Sequence, residues 1–236
     1  MSAILAIFQW VIASLSITLH SFYTAILHSL FPRRPWVRYS NILFCRWILF
    51  LVRVHVQVEG LEHVDPKKTY VVCSNHQGMF DSFAINGMIP LPMAWLSKPG
   101  YFKVPFVGLV LWASQHVLVT RKDKERDRQA VALAVEQLRK GIPMAVFPEG
   151  TRSRDGSIGP FKLGAFRMAK ESGCPVLPVT LCGSGERMKK GEWKVRPGTI
   201  RLTIGPPIDP PFETIEELSA KTHRQILGTY QKSTSI

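Results

Sequence analysis

The chain predicts an α/β fold in which a mixed, mostly parallel sheet is flanked by helices and carried on an N-terminal two-helix membrane-anchoring motif. Three observations carry this expectation. From residue 54 onward, short apolar β-branched runs alternate with helical ones, the pattern of a sheet covered by helices. Ahead of that point, two apolar stretches are separated by Pro32-Arg33-Arg34-Pro35. Several of the strand-like runs end in polar corners, where a rigid scaffold holds reactive side chains open to solvent.

The 236 residues suit one α/β domain, residues 55–236, with an appendage, residues 1–54. Thirty Lys and Arg against 17 Asp and Glu give a net charge of +13. Such a balance points to an anionic partner: a phospholipid surface, a phosphorylated substrate or nucleic acid. Cys45, Cys73, Cys174 and Cys182 lie far apart, with no C-x-x-C and no spacing suited to zinc. They read as reduced core residues of a cytosol-facing domain.

Residues 3–30 are apolar and would form a helix about 40 Å long, enough to cross a bilayer. Gln9, Ser14, Ser16, Thr18, His20, Ser21, Thr24 and His28 dilute the run, and its start lacks the basic region of a secretory signal. The second stretch, residues 36–54, places Arg38, Arg46 and Arg53 at about 0°, 80° and 60° on a helical wheel. That basic stripe favours a helix lying in the membrane interface, with Trp47, Ile48, Leu49, Phe50 and Leu51 sunk toward the acyl chains. The rival reading is a helical hairpin packed on its own domain, its arginines solvated.

The alternating run 54–59 reads as a half-buried strand, and residues 69–73 as a buried strand leading to His76. A helix is expected over 81–89, then a strand over 93–97 that delivers Lys98. An apolar element over 104–112 precedes a strand over 117–119 ending at Arg121. Residues 123–140 form a charged helix with Val131, Ala134, Val135 and Leu138 on one face, closed by Gly141. The strand 144–147 ends in Pro148-Glu149-Gly150-Thr151-Arg152-Ser153, and a helix follows over 161–172. The run 174–181 is a strand interrupted by Pro175 and Pro178, which suggests an edge or a bulge. A strand over 199–204 and an amphipathic helix over 213–231 complete the chain.

Strand ends thus deliver His76 with Asp81, Lys98, Arg121, and Glu149 with Arg152. Open α/β sheets bind ligands at the carboxyl ends of their strands, so these groups are expected in one cleft. Where a loop turns into a helix, Asp81 can bond one ring nitrogen of His76 and leave the other as a base. A base beside Lys98, Arg121 and Arg152 suits an alcohol that carries a phosphate. A serine hydrolase around Gly183-Ser184-Gly185 is set aside, because Cys182 and Glu186 stand where the nucleophile elbow needs glycine. No P-loop and no GxGxxG is present. Arg33-Arg34-Pro35-Trp36-Val37-Arg38 could be cast as a nucleic-acid patch, but its apolar flanks favour lipid, and no nucleic-acid partner is expected.

Asn75-His76-Gln77-Gly78-Met79-Phe80-Asp81 resembles the NHxxxxD motif of the glycerolipid acyltransferases, and Phe147-Pro148-Glu149-Gly150-Thr151-Arg152-Ser153 resembles their FPEGTRS motif. The segment ending at Arg121 is similar to their second motif, although no glycine sits just ahead of Val117. Val176-Leu177-Pro178-Val179 is similar to their fourth. The resemblance covers about residues 55–205 and is nearest to the 1-acyl-sn-glycerol-3-phosphate acyltransferases. It implies acyl transfer from acyl-CoA or acyl-carrier protein to the sn-2 hydroxyl of lysophosphatidate, with His76 as general base and Asp81 its orienter. Lys98, Arg121, Glu149, Gly150, Thr151 and Arg152 would contact substrate. No cofactor, metal or ATP is expected, and backbone N–H groups of the Gly150 loop would serve the carbonyl oxygen. Glu149 either binds glycerol hydroxyls or braces Arg152 or the loop. A different acceptor, such as lyso-ornithine lipid, is the nearest alternative. The resemblance also implies an anionic membrane as partner and a bacterial inner membrane as location, with the catalytic domain on the cytoplasmic face.

Overall fold

The computed structural model describes residues 3–31, 35–97, 100, 108, 111, 114–120, 123–153, 155–188 and 191–234. Two N-terminal helices, α1 (Ala3–Leu30) and α2 (Pro35–Leu51), lead into β1 (Val54–Glu59). There follow β2 (Val71–Ser74), α3 (Asp81–Met88), β3 (Ala94–Ser97), β4 (Val117–Leu118), α4 (Lys124–Arg139), β5 (Met144–Val146), α5 (Gly164–Ser172) and β6 (Val176–Cys182). The short α6 (Ser184–Arg187), β7 (Gly198–Ile204) and α7 (Ile215–Thr234) close the chain. The element expected over 104–112 lies almost wholly outside the described residues.

The seven strands form one sheet in the order β1-β7-β6-β2-β5-β3-β4. Every neighbouring pair is parallel except β6 with β7. The five strands from β6 to β4 therefore end on one rim. Strand β2 is buried along its whole length, its side chains alternating between two cores. Val72 joins Phe80, Ala84 and Ile85 of α3 on one face. On the other, Val71 and Cys73 meet Ala134 and Leu138 of α4 and Phe166 of α5. Coverage on both faces explains why the strand reads as a continuous apolar run.

Strand β6 is not an edge. It lies between β2 and β7, buried at every position. Its second proline is accommodated by the irregularity that prolines in a strand foretell: between the pairs Val179–Ile204 and Val176–Ile208, Gly205, Pro206 and Pro207 face only Leu177 and Pro178. The missing N–H of Pro178 thus falls where the ladder is already broken.

The N-terminal helices differ from expectation in one respect. Ile48 and Leu49 do not face outward; they are 3% and 2% exposed, and Leu49 and Val52 belong to the same core as the sheet. Helix α2 crosses α3 so closely at Gly87 that a Cβ there would stand 3.4 Å from the Arg46 backbone nitrogen. The Arg46 guanidinium donates from Nε to the Gly87 carbonyl at 2.6 Å, satisfying an acceptor in the last turn of α3. One member of the basic stripe is therefore tied to the domain. The side chain of Arg38 lies outside the described residues.

Helix α1 has two faces. Ile7, Phe8, Val11, Leu15, Leu19, Phe22 and Ile26 are each at least half exposed. Three of the polar residues that dilute its sequence line its contact with α2. Gln9 donates to the Leu51 carbonyl, Ser16 accepts from Trp47, and His20 bonds Asn41. Residues 7–27 are long and apolar enough to cross a membrane.

Candidate active site

The site is built by the register of β2 and β5. Cys73 pairs with Val146, so His76 and Glu149 each stand three residues past the same rung, on adjacent parallel strands. Their loops must therefore run side by side. The contacts follow: the His76 N–H donates to Glu149 Oε1 at 2.8 Å, and the Ser153 N–H donates to the His76 carbonyl at 2.8 Å.

Asp81 opens α3 and is fully buried. Its Oδ2 lies 2.7 Å from His76 Nδ1 and also accepts the N–H groups of Gln77 and Gly78, at 2.7 and 2.9 Å. An ionised acceptor next to Nδ1 selects the tautomer with its proton there and leaves Nε2 with a lone pair. Nε2 meets no hydrogen-bond partner among the described residues, and the His76 side chain is 20% exposed. The imidazole is stacked on Phe147, with centroids 3.9 Å apart and planes within 7°. Trp95 packs at a tilt against Phe147, 5.0 Å between centroids, and its Nε1 donates to Asn86 on α3. Two independent restraints, a hydrogen bond and a stacked ring, thus orient the imidazole.

Glu149 does not reach toward Arg152. Its second oxygen accepts the Gly159 N–H at 3.1 Å, so both carboxylate oxygens are occupied by backbone. Burial pushes its carboxyl above the usual glutamate range, against the pull of its two N–H donors. Of the alternatives open in the sequence, bracing the loop is the one its contacts match. Glu149→Ala leaves the His76 and Gly159 N–H groups without a partner, and the expected loss is about 2 kcal/mol of stability. The expected kinetic signature is a lower kcat at nearly unchanged acceptor KM; thermal unfolding and initial rates check both.

Gly150 adopts φ 79°, a conformation that glycine takes at little cost, and its N–H turns back to the Phe147 carbonyl at 2.9 Å. That N–H is therefore engaged within the turn rather than free for a substrate oxygen. Thr151 is exposed, and the half-buried Arg152 touches Met79 Sδ at 4.0 Å through Nη1. No carboxylate pairs with Arg152 among the described residues. Beyond it, Asp155 is clasped by the hydroxyl and N–H of Ser157 and the hydroxyl of Ser153, which hold its carboxyl down at about 2. Gln77 Nε2 donates to the Gly156 carbonyl at 2.9 Å, a third bond between the two loops. Strands β3 and β4 end on the same rim, but Lys98 and Arg121 lie outside the described residues.

Four further residues show their supporting roles only in the structure. Asn75 is fully buried and bonds both the N–H and the carbonyl of Leu181, each at 2.8 Å, locking the end of β2 to β6. Gly78 packs so closely on α6 that a Cβ would collide with the Ser184 carbonyl. Ser184 is fully buried beneath the histidine loop, where no substrate can reach it as a nucleophile. Phe147 was legible only as an apolar strand residue; its stacking partner is far away in sequence.

Comparison with known proteins now bears directly on this arrangement. A family model described as Acyltransferase matches residues 55–182, more than half of the chain. The chain belongs to the acyltransferase family. A 1-acyl-sn-glycerol-3-phosphate acyltransferase of Pseudomonas aeruginosa is 33% identical over 180 residues, 74% of this chain and 69% of that protein. A chloroplastic 1-acyl-sn-glycerol-3-phosphate acyltransferase of Brassica napus is 36% identical over 153 residues, 64% of this chain. The match spans 44% of that longer relative. The crystal structure of the 1-acyl-sn-glycerophosphate acyltransferase PlsC from Thermotoga maritima superposes with a TM-score of 0.87 at 28% identity, covering 99% of this chain and 96% of that one. The acyltransferase thus shares with that structure the two N-terminal helices as well as the mixed sheet.

Proposed function

We propose that this acyltransferase moves a fatty acyl group from an acyl thioester, acyl-CoA or acyl-carrier protein, to the sn-2 hydroxyl of lysophosphatidate, giving phosphatidate for phospholipid synthesis. The observation that carries the reading is the Asp81-oriented His76, whose Nε2 is unpartnered among the described residues, in a loop bonded through Ser153 to the one that carries Arg152, which no described carboxylate neutralises. The names of the relatives support the acceptor.

In the proposed reaction, Nε2 takes the proton of the acceptor hydroxyl as that oxygen attacks the thioester carbonyl. The tetrahedral intermediate expels the thiolate, which takes the proton back from the imidazolium. A thioester is already activated, so positioning and proton transfer suffice without a covalent acyl-enzyme. Asp81, anionic and buried, stabilises the transient imidazolium charge. Arg152 is assigned to the acceptor phosphate, where its planar fork can bind two oxygens. Lys98 and Arg121 are assigned to the same anion on their strand-end positions in the sequence. The exposed apolar face of α1 would hold the enzyme at an anionic membrane, in bacteria the inner one with the domain on the cytoplasmic side. Four free cysteines agree with that compartment.

Acyl transfer by the detergent-solubilised protein tests this, with labelled acyl-CoA and acyl-carrier protein as donors and lysophosphatidate, glycerol-3-phosphate and uncharged lysolipids as acceptors. Phosphatidate formed by the native chain is the expected product. Acylation of an uncharged lysolipid alone would keep the base and remove the phosphate assignments. Arg152→Ala is expected to raise the lysophosphatidate KM by about tenfold or more, the scale of one lost charge-assisted contact, with a smaller change in kcat. An unchanged KM overturns the role of Arg152.

A further inference from the structure

The loop between α6 and β7 lies beside α1, far from the histidine in sequence, and none of the mechanism uses it. Its base is fixed. Val195 is 3% exposed within the core that lines α3, the Arg196 N–H donates to the Arg187 carbonyl at 2.7 Å, and Arg187 Nη1 donates to the Pro197 carbonyl at 2.8 Å. Its flank is tied to the first helix: Trp10 Nε1 donates to the Trp193 carbonyl at 2.6 Å. Trp10 stands about 60° around α1 from the exposed Ile7, so this tie places the loop at the border of the helix's apolar face.

From that fixed base the loop presents an aromatic ring and a cation. Trp193 is 48% exposed, and the Lys194 ammonium stands 5.8 Å from its ring centroid. The loop's carboxylate Glu192 is neutralised by Arg196 at 2.6 Å, and Glu186 at the end of α6 by Arg187 at 2.8 Å. Lys194 meets no carboxylate among the described residues. Arg53, exposed at the end of α2, adjoins the same loop, since its carbonyl accepts the Gly198 N–H at 3.2 Å. A tryptophan paired with unneutralised cations at the edge of an apolar helix face has the chemistry of the headgroup region: an amphipathic ring at the polar boundary and ammonium groups for phosphate.

We propose that Trp193 and Lys194 form a second membrane contact, specific for anionic phospholipid headgroups, that fixes the orientation of the domain when α1 engages the bilayer. The helix alone leaves rotation about its own axis open. A contact on one flank removes that freedom and presents a defined side of the molecule to the lipid surface. The inference rests on the membrane reading of α1.

The test uses the full chain with Cys174→Ser, carrying a fluorescent thiol label at Trp193→Cys or, as a control, at Leu133→Cys. Leu133 is 48% exposed on α4, in the opposite helical layer. Each labelled protein is reconstituted with vesicles of phosphatidylglycerol and phosphatidylcholine, or of phosphatidylcholine alone, and quenched with acrylamide. Position 193 is expected to be shielded relative to 133 in the phosphatidylglycerol vesicles and less so without that lipid. Adding Lys194→Glu is expected to lower the shielding by at least roughly fivefold, the factor carried by one lysine at an anionic surface, because it also adds a repelled carboxylate. Equal quenching at 193 and 133 in vesicles with which the protein co-floats overturns the proposal while leaving the helical anchor standing. Shielding that is the same in both lipids and unmoved by Lys194→Glu overturns the anionic headgroup. A chain that does not co-float at all overturns the anchor and the proposal together.

Discussion

His76→Ala is expected to lower acyl transfer by about 10⁴-fold, to the background of the assay, because a general base contributes about 10² to 10⁴ in rate and nothing else described near the acceptor can replace it. The fold should survive. Asp81 Oδ2 keeps the N–H groups of Gln77 and Gly78, and the backbone bonds from residue 76 to Glu149 and Ser153 do not involve the imidazole. What is lost is a half-buried ring and its stack on Phe147. Initial rates with lysophosphatidate, together with thermal unfolding of the same preparation, separate the two effects. Activity within tenfold of the native protein would remove His76 from the role of base.

Asp81→Ala combines a chemical and a structural loss. Without the carboxylate the imidazole keeps only its stack on Phe147 and can turn within that plane or carry its proton on the wrong nitrogen, which is expected to cost about 10²-fold or more in kcat. The same substitution strands the Gln77 and Gly78 N–H groups in a site where Asp81 is fully buried, and each unpaired buried donor costs about 1–3 kcal/mol. Asp81→Asn divides the two. Its amide oxygen can still accept the loop N–H groups, so stability should recover toward that of the native protein, while the loss of charge keeps the rate low. Recovery of rate along with stability in the Asn variant would show that Asp81 acts by holding the loop rather than by orienting the base.

Both variants bear on a distinction that the chain itself draws. The His76–Asp81 pair was legible because five residues and one loop-to-helix transition determine the contact. Local periodicity likewise exposed β1, α3, α4 and β7 within a few residues of their bounds. Motif order along the chain pointed to the family.

Glu149, Asn75 and Phe147 were legible as motif or strand residues but not in their roles. Each acts on a partner 71 to 106 positions away, through Cys73–Val146 register or through pairing of β2 with β6. Helix α2 shows the same limit in its packing. An apolar run with arginines reads as an interfacial helix, yet the approach of α3 at Gly87 turns Ile48 and Leu49 inward and gives Arg46 a carbonyl. Gln9, Ser16 and His20 of α1 looked like dilution of a span, yet they bond residues of α2. Sequence by itself determined most of the elements and the His76–Asp81 contact, because those depend on propensity and short spacing. Only the tertiary structure decided which carboxylate braces which loop and which helix face is buried, because strand register and helix crossing are set by packing between distant segments.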